Sequence, residues 1–407
     1  MIVNPRTISS DLAVFIGNTL DHFDTSLYGF LAPIMAPFFF PTQDYIIQLI
    51  LAYSILATSI ITRPIGAIIF GRLAYSGGPV FALSYALIGV AITTVLLGCL
   101  PVYETIGYLA PISLMLIRML RGIFASGESS IAKLYIVENK SQCGALKTSY
   151  FYNASSMLGM ILASVAATIV INSQQMNAWR FCFWLGGSVG FVGVFLRLYC
   201  SNNNKHKKII NKQIFNFKAL WNHKASVLKI ALVVGFGHIT YSVPFVFFNS
   251  FVPIVTDINL STMLSLNNFL LIFDLIILLI IGRVVINYNP TKVLVLSSLV
   301  LSISMIPLFV LLKNSSIITV TFIRLWVVFW GVVFACPVNV WCEKLLNNLP
   351  EKYFLMGMSS AFGASIIGKT TTAVCFYLWY KTNLIFAPAV YIVILMLGAF
   401  IAILFNK

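Results

Sequence analysis

Twelve apolar stretches, each long enough to cross a bilayer as a helix, constrain this 407-residue chain more than any other feature. A spanning helix needs about 20 mostly apolar residues. The stretches run 11–39, 45–71, 80–100, 107–137, 147–171, 179–199, 226–256, 262–286, 292–312, 316–345, 354–380 and 384–405. Turn-forming residues separate them: PTQD at 41–44, SGGP at 76–79, NYNP at 287–290 and NNLPEK at 347–352. Charged residues make up 9% of the chain, against roughly 25% in soluble domains. So few charges cannot clothe a soluble surface, so lipid must cover much of it. The amino-terminal MIVNPRTISSDL is polar, and the apolar stretch after it contains Asp21 and Asp24. It therefore reads as a retained first helix, not a cleaved signal.

One polar, basic break interrupts the middle of the pattern, CSNNNKHKKIINKQIFNFKALWNHKA at 200–225. It divides the chain into a six-helix region at 1–199, a linker at 200–225 suited to lying on anionic lipid, and a second six-helix region at 226–407. With the amino terminus placed in the cytoplasm, the inner segments hold Arg6, Arg72, Lys140, Lys147, the six lysines of 200–225, Arg283, Lys292, Lys344, Lys352 and Lys407. The outer segments hold Arg180, Lys313 and Lys381. Fifteen against three is the bias expected when both termini are cytoplasmic. The formal charge of +15 is therefore a matter of topology, and nucleic acid is not an expected partner. Membrane lipid is. The seven cysteines lack metal-ligand spacing and disulfide patterning, so no metal site is expected, and they read as small apolar fillers.

Charges inside the spans are the informative residues. One at the bilayer centre costs at least about 2.5–3.5 kcal/mol and survives only facing protein or water. The first span carries Asn18, Asp21, Asp24 and Tyr28 at spacings of three and four, hence on one face. Asp24 lies near its middle. A carboxylate sheltered from water suits proton loading or contact with a substrate amine, and a structural ion pair with a fourth-span arginine is the competing reading. The fourth span carries Arg118, Arg121, Ala125 and Glu128, again one stripe, about 15 Å from end to end. Its guanidinium groups can fork onto a substrate carboxylate, or pair with Asp21 or Asp24, and Glu128 can neutralise an arginine or carry protons. Arg63 reads as a gate or structural charge. Asp274 and Arg324, the buried charges of the second region, read as gate or structural charges able to pair with each other, with a site as the alternative, and Lys369, deep in the eleventh span, reads likewise, suited to binding an anion or to filling the place of a lost partner. His22 neighbours Asp21 and Asp24; His22 and His238 read first as packing residues, with a proton relay as the alternative. No catalytic signature and no nucleotide-binding loop occur, so the chain is not expected to be an enzyme, to need a cofactor or to use ATP. Ser155, Gly159 and Ala163 recur every fourth residue on the fifth span, a pattern for close helix contact shared loosely by Gly363 and Gly368.

Several strings sharpen this layout into a family likeness. GNTLDHFDTSLYGFLAPIMAPFFFP (17–41), RPIGAIIFG (63–71), RMLRGIFASGESSIAKLYIVE (118–138), AWRFCFWLGG (178–187), NNLPEKYFLMGMS (347–359) and FAPAVY (386–391) occur in that order. They resemble the signatures of the metabolite:proton symporter branch of the major facilitator superfamily, the branch of proline/betaine, α-ketoglutarate, citrate and shikimate carriers. Asp24, Arg63, Arg118 and Glu128 fall on family positions. Asp21 and His22 replace a Glu-Trp pair, Arg121 replaces a glutamine, and Lys369 interrupts a G-G-T string. The inner-loop motif G-x-L-[AS]-D-R-x-G-R-[RK] appears as GRLAYSGGPV (71–80), with Tyr75 and Ser76 where Asp and Arg stand, and the second copy, GRVVINYNPT (282–291), also lacks the Asp.

The resemblance implies an all-α membrane protein of two six-helix bundles with a polar cavity near the bilayer midplane, served by alternating access. It implies proton symport of a small zwitterion or organic acid, first of the proline/betaine kind, in a bacterial cytoplasmic membrane. The buried arginines keep a carboxylate such as α-ketoglutarate as an alternative, carried by symport or exchange. The altered gate motifs raise a third reading, a non-transporting sensor or partner protein, which the retained Asp24, Arg118 and Glu128 oppose. No feature specifies an oligomeric state.

Overall fold

The computed structural model describes residues 5–137, 142–173, 175, 177–201, 217–285, 288–313, 315–346, 349 and 352–405. Those residues are almost wholly helical, and no strand occurs among them. Each apolar stretch of the sequence is a helix or a broken helix. These are α1 (Pro5–Phe39), α2 (Tyr45–Ala57 and Ser59–Gly77), α3 (Pro79–Cys99), α4 (Leu109–Val137), α5 (Gln142–Ser173), α6 (Ala178–Ser201), α7 (Lys224–Ser242, a π-turn Val243–Phe247, then Phe248–Val255), α8 (Leu260–Val285), α9 (Pro290–Val310), α10 (Ile317–Leu346), α11 (Lys352–Phe362, a π-turn Gly363–Gly368, then Thr371–Thr382) and α12 (Ala387–Leu404). Among the described residues, ten of these meet the length and apolarity of a membrane span, and α1 and α6 are the other two. Short helices at Tyr103–Ile106 and Phe217–Asn222 lie between spans. Most of the expected 200–225 linker, residues 202–216, lies outside the described residues.

Local chemistry accounts for the ends and breaks. Asp44 caps α2, its carboxylate accepting from the backbone N–H of Ile46 at 2.8 Å and of Ile47 at 3.4 Å. Asp44→Ala should lower stability by about 1 kcal/mol, read as a fall in the thermal midpoint of the purified protein in detergent. α2 breaks at Thr58, whose hydroxyl donates to the Ile55 carbonyl at 2.7 Å, just before Pro64 removes a helical donor. Gly78, at φ 92°, turns the chain from α2 into α3. Asn289 caps α9 with Pro290 at the first helical position. Asn383, in the left-handed region at φ 55°, ends α11. Pro244 lies in the π-turn of α7, and the π-turn of α11 begins and ends on glycine.

The chain forms two compact units, Met1–Phe39 with Ile61–Lys212, and Phe40–Ile60 with Gln213–Lys407. The first arm of α2 thus packs within the second unit. There Tyr53 stacks on Phe376 of α11, centroids 5.9 Å apart, and shares a 2.7 Å hydrogen bond with Ser250 of α7. In the first unit α1 packs on α5, and α3 on α4 and α6. The α1–α5 contact is backbone-close: a Cβ on Gly159 would lie 2.1 Å from the Thr19 carbonyl oxygen. In the second unit a Cβ on Gly363 would lie 2.3 Å from the Ala231 oxygen, which brings α11 equally close to α7. Small residues permit these approaches and the dispersion contacts they bring.

Burial is arranged as lipid requires. Large apolar side chains face outward, among them Ile318 at 78% exposure and Phe195 at 68%. Asn18, Asp21, Asp24, Arg118, Arg121, Asn267, Asp274 and Arg324 are all buried.

Candidate functional site

The first unit gathers four of the charges singled out in the sequence into one cluster. Asp21 and Asp24 are a turn apart on α1, and Arg118 and Arg121 a turn apart on α4. Antiparallel neighbours set such pairs in register. Arg121 donates through Nη2 to Asp21 Oδ1 at 2.9 Å and to the Asp21 carbonyl oxygen at 2.8 Å. Its Nε forms an ion pair with Asp24 Oδ2. Arg118 donates through Nη1 to the same Asp24 oxygen at 3.3 Å. Its guanidinium lies over the Tyr28 ring, 4.1 Å from the centroid, a further attraction where water is excluded. Thr94 of α3 donates to Asp24 Oδ1 at 2.9 Å.

Two carboxylates thus face two guanidinium groups, all less than 10% exposed. Desolvating such a set costs several kcal/mol per ion, and mutual attraction repays it only with good geometry. Replacing the set by apolar side chains would often stabilise a protein, so stability alone does not explain its presence here. Chemically the set is an exchangeable ion-pair network that can trade one internal partner for a ligand group of the same charge.

The remaining expected residues fall around or away from this cluster. Arg63, on the second arm of α2, lies within electrostatic range of Asp21 and Arg121 and makes no ion pair among the described residues. Its carbonyl oxygen accepts from Ser126 of α4 at 2.7 Å. His22 is half-buried on α1. Asn18 shares the polar stripe of α1 but turns to α5, where its Nδ2 donates to the Tyr152 oxygen and the Ser155 and Ser156 hydroxyls at 2.7–2.9 Å. It fastens helices together. The backbone of Glu128 continues α4, and its side chain lies outside the described residues.

In the second unit Arg324 of α10 does not pair with Asp274. It donates to Asn267 Oδ1 and, at 3.5 Å, to the Met263 oxygen, both on α8. Asp274 lies seven residues past Asn267, about 10 Å along the helix, beyond that guanidinium. Lys369 is half-buried at the end of the α11 π-turn. Thr94 and Asn267 were not singled out from the sequence. Both are hydrogen-bonding side chains inside apolar spans, and that is the signal that could have found them.

A sequence model described as the Major Facilitator Superfamily matches residues 14–368. The glycine betaine/proline/ectoine/pipecolic acid transporter of Dickeya dadantii is 25% identical to this chain, covering 97% of it and 82% of the relative. The proline/betaine transporter of Escherichia coli (strain K12) is 23% identical over 94% of this chain and 80% of its own length. Among solved structures, that of a D-xylose-proton symporter superposes with a TM-score of 0.79 at 15% identity, covering 98% of this chain and 97% of its own. A bacterial homologue of the human lysosomal transporter Spinster, inward-facing, superposes with a TM-score of 0.69 at 14% identity, covering 99% and 97%.

Proposed function

The chain belongs to the major facilitator superfamily and is an integral membrane transporter of small molecules, and from that premise we propose that it couples uptake of a small zwitterion of the proline/betaine kind to protons by alternating access. The observation that carries this reading is the buried, charge-balanced cluster of Asp21, Asp24, Arg118 and Arg121. A zwitterion brings one charge of each sign. Its carboxylate can take a guanidinium from an aspartate while its cationic nitrogen takes the released aspartate, and the Tyr28 ring face on which the Arg118 guanidinium lies can take that nitrogen in its place. Such an exchange leaves the net buried charge unchanged, which keeps its electrostatic cost low. The names of the relatives support the substrate class, and the basic residues of the inner segments support cytoplasmic termini in a bacterial inner membrane.

A carboxylate such as α-ketoglutarate is the second reading. It is favoured by Arg63, whose guanidinium lies near the cluster without an ion pair of its own among the described residues. Arg121→Gln tests how far arginines set the preference. Losing one charge-assisted hydrogen bond, worth about 1.5–3 kcal/mol, should move the uptake ratio of glycine betaine to α-ketoglutarate at least roughly tenfold toward betaine. An unchanged ratio would show that Arg121 does not read the solute.

The direct test is uptake by proteoliposomes under an inward proton gradient, with labelled proline, glycine betaine, α-ketoglutarate and citrate. Accumulation of proline or betaine that a protonophore collapses is the expected result. Accumulation of a dicarboxylate alone selects the second reading. Uptake indifferent to the gradient removes proton coupling.

A further inference from the structure

Among the described residues, one carboxyl group buried in the spans has no cation beside it. Asp274 stands near the middle of the 26-residue α8 and is 7% exposed. Among the described residues it forms no ion pair, and all three ion pairs gather at Asp21 and Asp24. The described charges on the helices packed against it lie well away along their axes. α8 packs on α10 and on the Phe248–Val255 part of α7, and that part of α7 has no titratable residue. On α10, Cys336 is the group within electrostatic range. Arg324 is twelve residues before Cys336, about 18 Å along the helix, and is spent on Asn267 and Met263. Of the other titratable groups on α10, Cys342 is buried, Lys344 is exposed and eight residues beyond Cys336, about 12 Å, and the Glu343 side chain lies outside the described residues. Arg283 of α8 itself is exposed, nine residues on, about 13 Å away along the axis.

We propose that Asp274 carries the transported proton, so that proton coupling resides in the second unit while the ion-pair cluster of the first unit handles the charges of the solute. The inference rests on the proton-symport reading above. A proton carrier must be neutral while sealed from water and charged when water reaches it. A carboxyl without a cation meets that requirement, since its charge is costly in apolar surroundings and cheap once hydrated. Asp24 does not, because it is held in ion pairs with Arg118 and Arg121. The step at Asp274 is a simple transfer. The carboxyl O–H bond breaks, the proton passes to water on one face of the membrane, and the carboxylate left behind takes a proton from water on the other face.

The test uses the full chain in proteoliposomes. Infrared difference spectra across a pH step read the carbonyl band of a protonated carboxyl group without any solute. The band should appear in the wild-type protein and in Asp24→Asn, and vanish in Asp274→Asn. In parallel, Asp274→Asn should hold proline or glycine betaine counterflow within about twofold of wild type while gradient-driven accumulation falls to background. Asp274→Glu, which keeps a titratable acid, should recover the band and much of the accumulation, and it serves as the test should the asparagine variant fail to insert. A band that survives Asp274→Asn, or accumulation that persists in that variant, overturns the assignment and leaves symport standing. Wild-type uptake that no proton gradient drives, with the Asp274-dependent band intact, overturns the symport reading and the transported proton with it.

Discussion

Asp24→Asn is expected to abolish both gradient-driven accumulation and counterflow, and to lower the stability of the protein by roughly 3–5 kcal/mol. The carboxylate accepts from Thr94 and faces both Arg118 and Arg121. An asparagine fills the same volume without the charge. Asp21 then stands as the single carboxylate against two buried guanidinium groups, and an uncompensated buried charge is the main source of the penalty. Pairing the substitution with Arg118→Gln restores the balance of charge. The double variant should recover most of the lost thermal midpoint in detergent and none of the transport, because the solute has lost both a cationic and an anionic partner. Recovered transport in the double variant would make the pair a structural one.

Gly159→Leu is expected to be more damaging to folding, and for a different reason. The glycine lets α5 approach the backbone of α1 so closely that a single added carbon would sit 2.1 Å from the Thr19 oxygen and 2.9 Å from the Phe23 nitrogen. Backbone atoms cannot turn aside as a side chain can. The helices must separate, and separation would break the contacts of the Asn18 amide with its three acceptors on α5 and the 3.0 Å bond from the Thr19 hydroxyl to the Ser155 oxygen. Gly159→Ala should cost about 1–3 kcal/mol by overpacking. The leucine variant should elute from size exclusion in detergent as aggregate, with little monodisperse protein. Gly357→Ala is the control, since nothing lies within 4 Å of a Cβ there, and it should leave the elution profile unchanged.

Both expectations depend on contacts of very unequal legibility. The positions of the spans were readable because each must satisfy its own backbone and present apolar side chains to lipid, and both demands are local. The breaks at Asp44, Gly78, Asn289 and Asn383 follow equally local rules of capping and turn formation. The small residues on α5 announced a close contact, although the residue that receives Gly159 was not in the pattern.

Partnership among the buried charges was a different matter. Periodicity placed Asn18, Asp21, Asp24 and Tyr28 on one stripe, yet Asn18 turns to α5 while the aspartates meet α4 and α3. A bundled helix has several neighbours, and a stripe wide enough to include all four residues spans more than one of them. Asp274 and Arg324 look like a pair by count and sign, and the axial register of α8 against α10 gives Arg324 to Asn267 instead. Hydropathy and periodicity act within single helices, so a membrane-spanning, all-helical chain with costly charges inside its spans is legible from the residues alone. That Asp21 and Asp24 are matched by Arg118 and Arg121, and that Asp274 is left without a cation among the described residues, follows from the rotation and axial register of one helix against another, which packing between residues far apart in the chain sets.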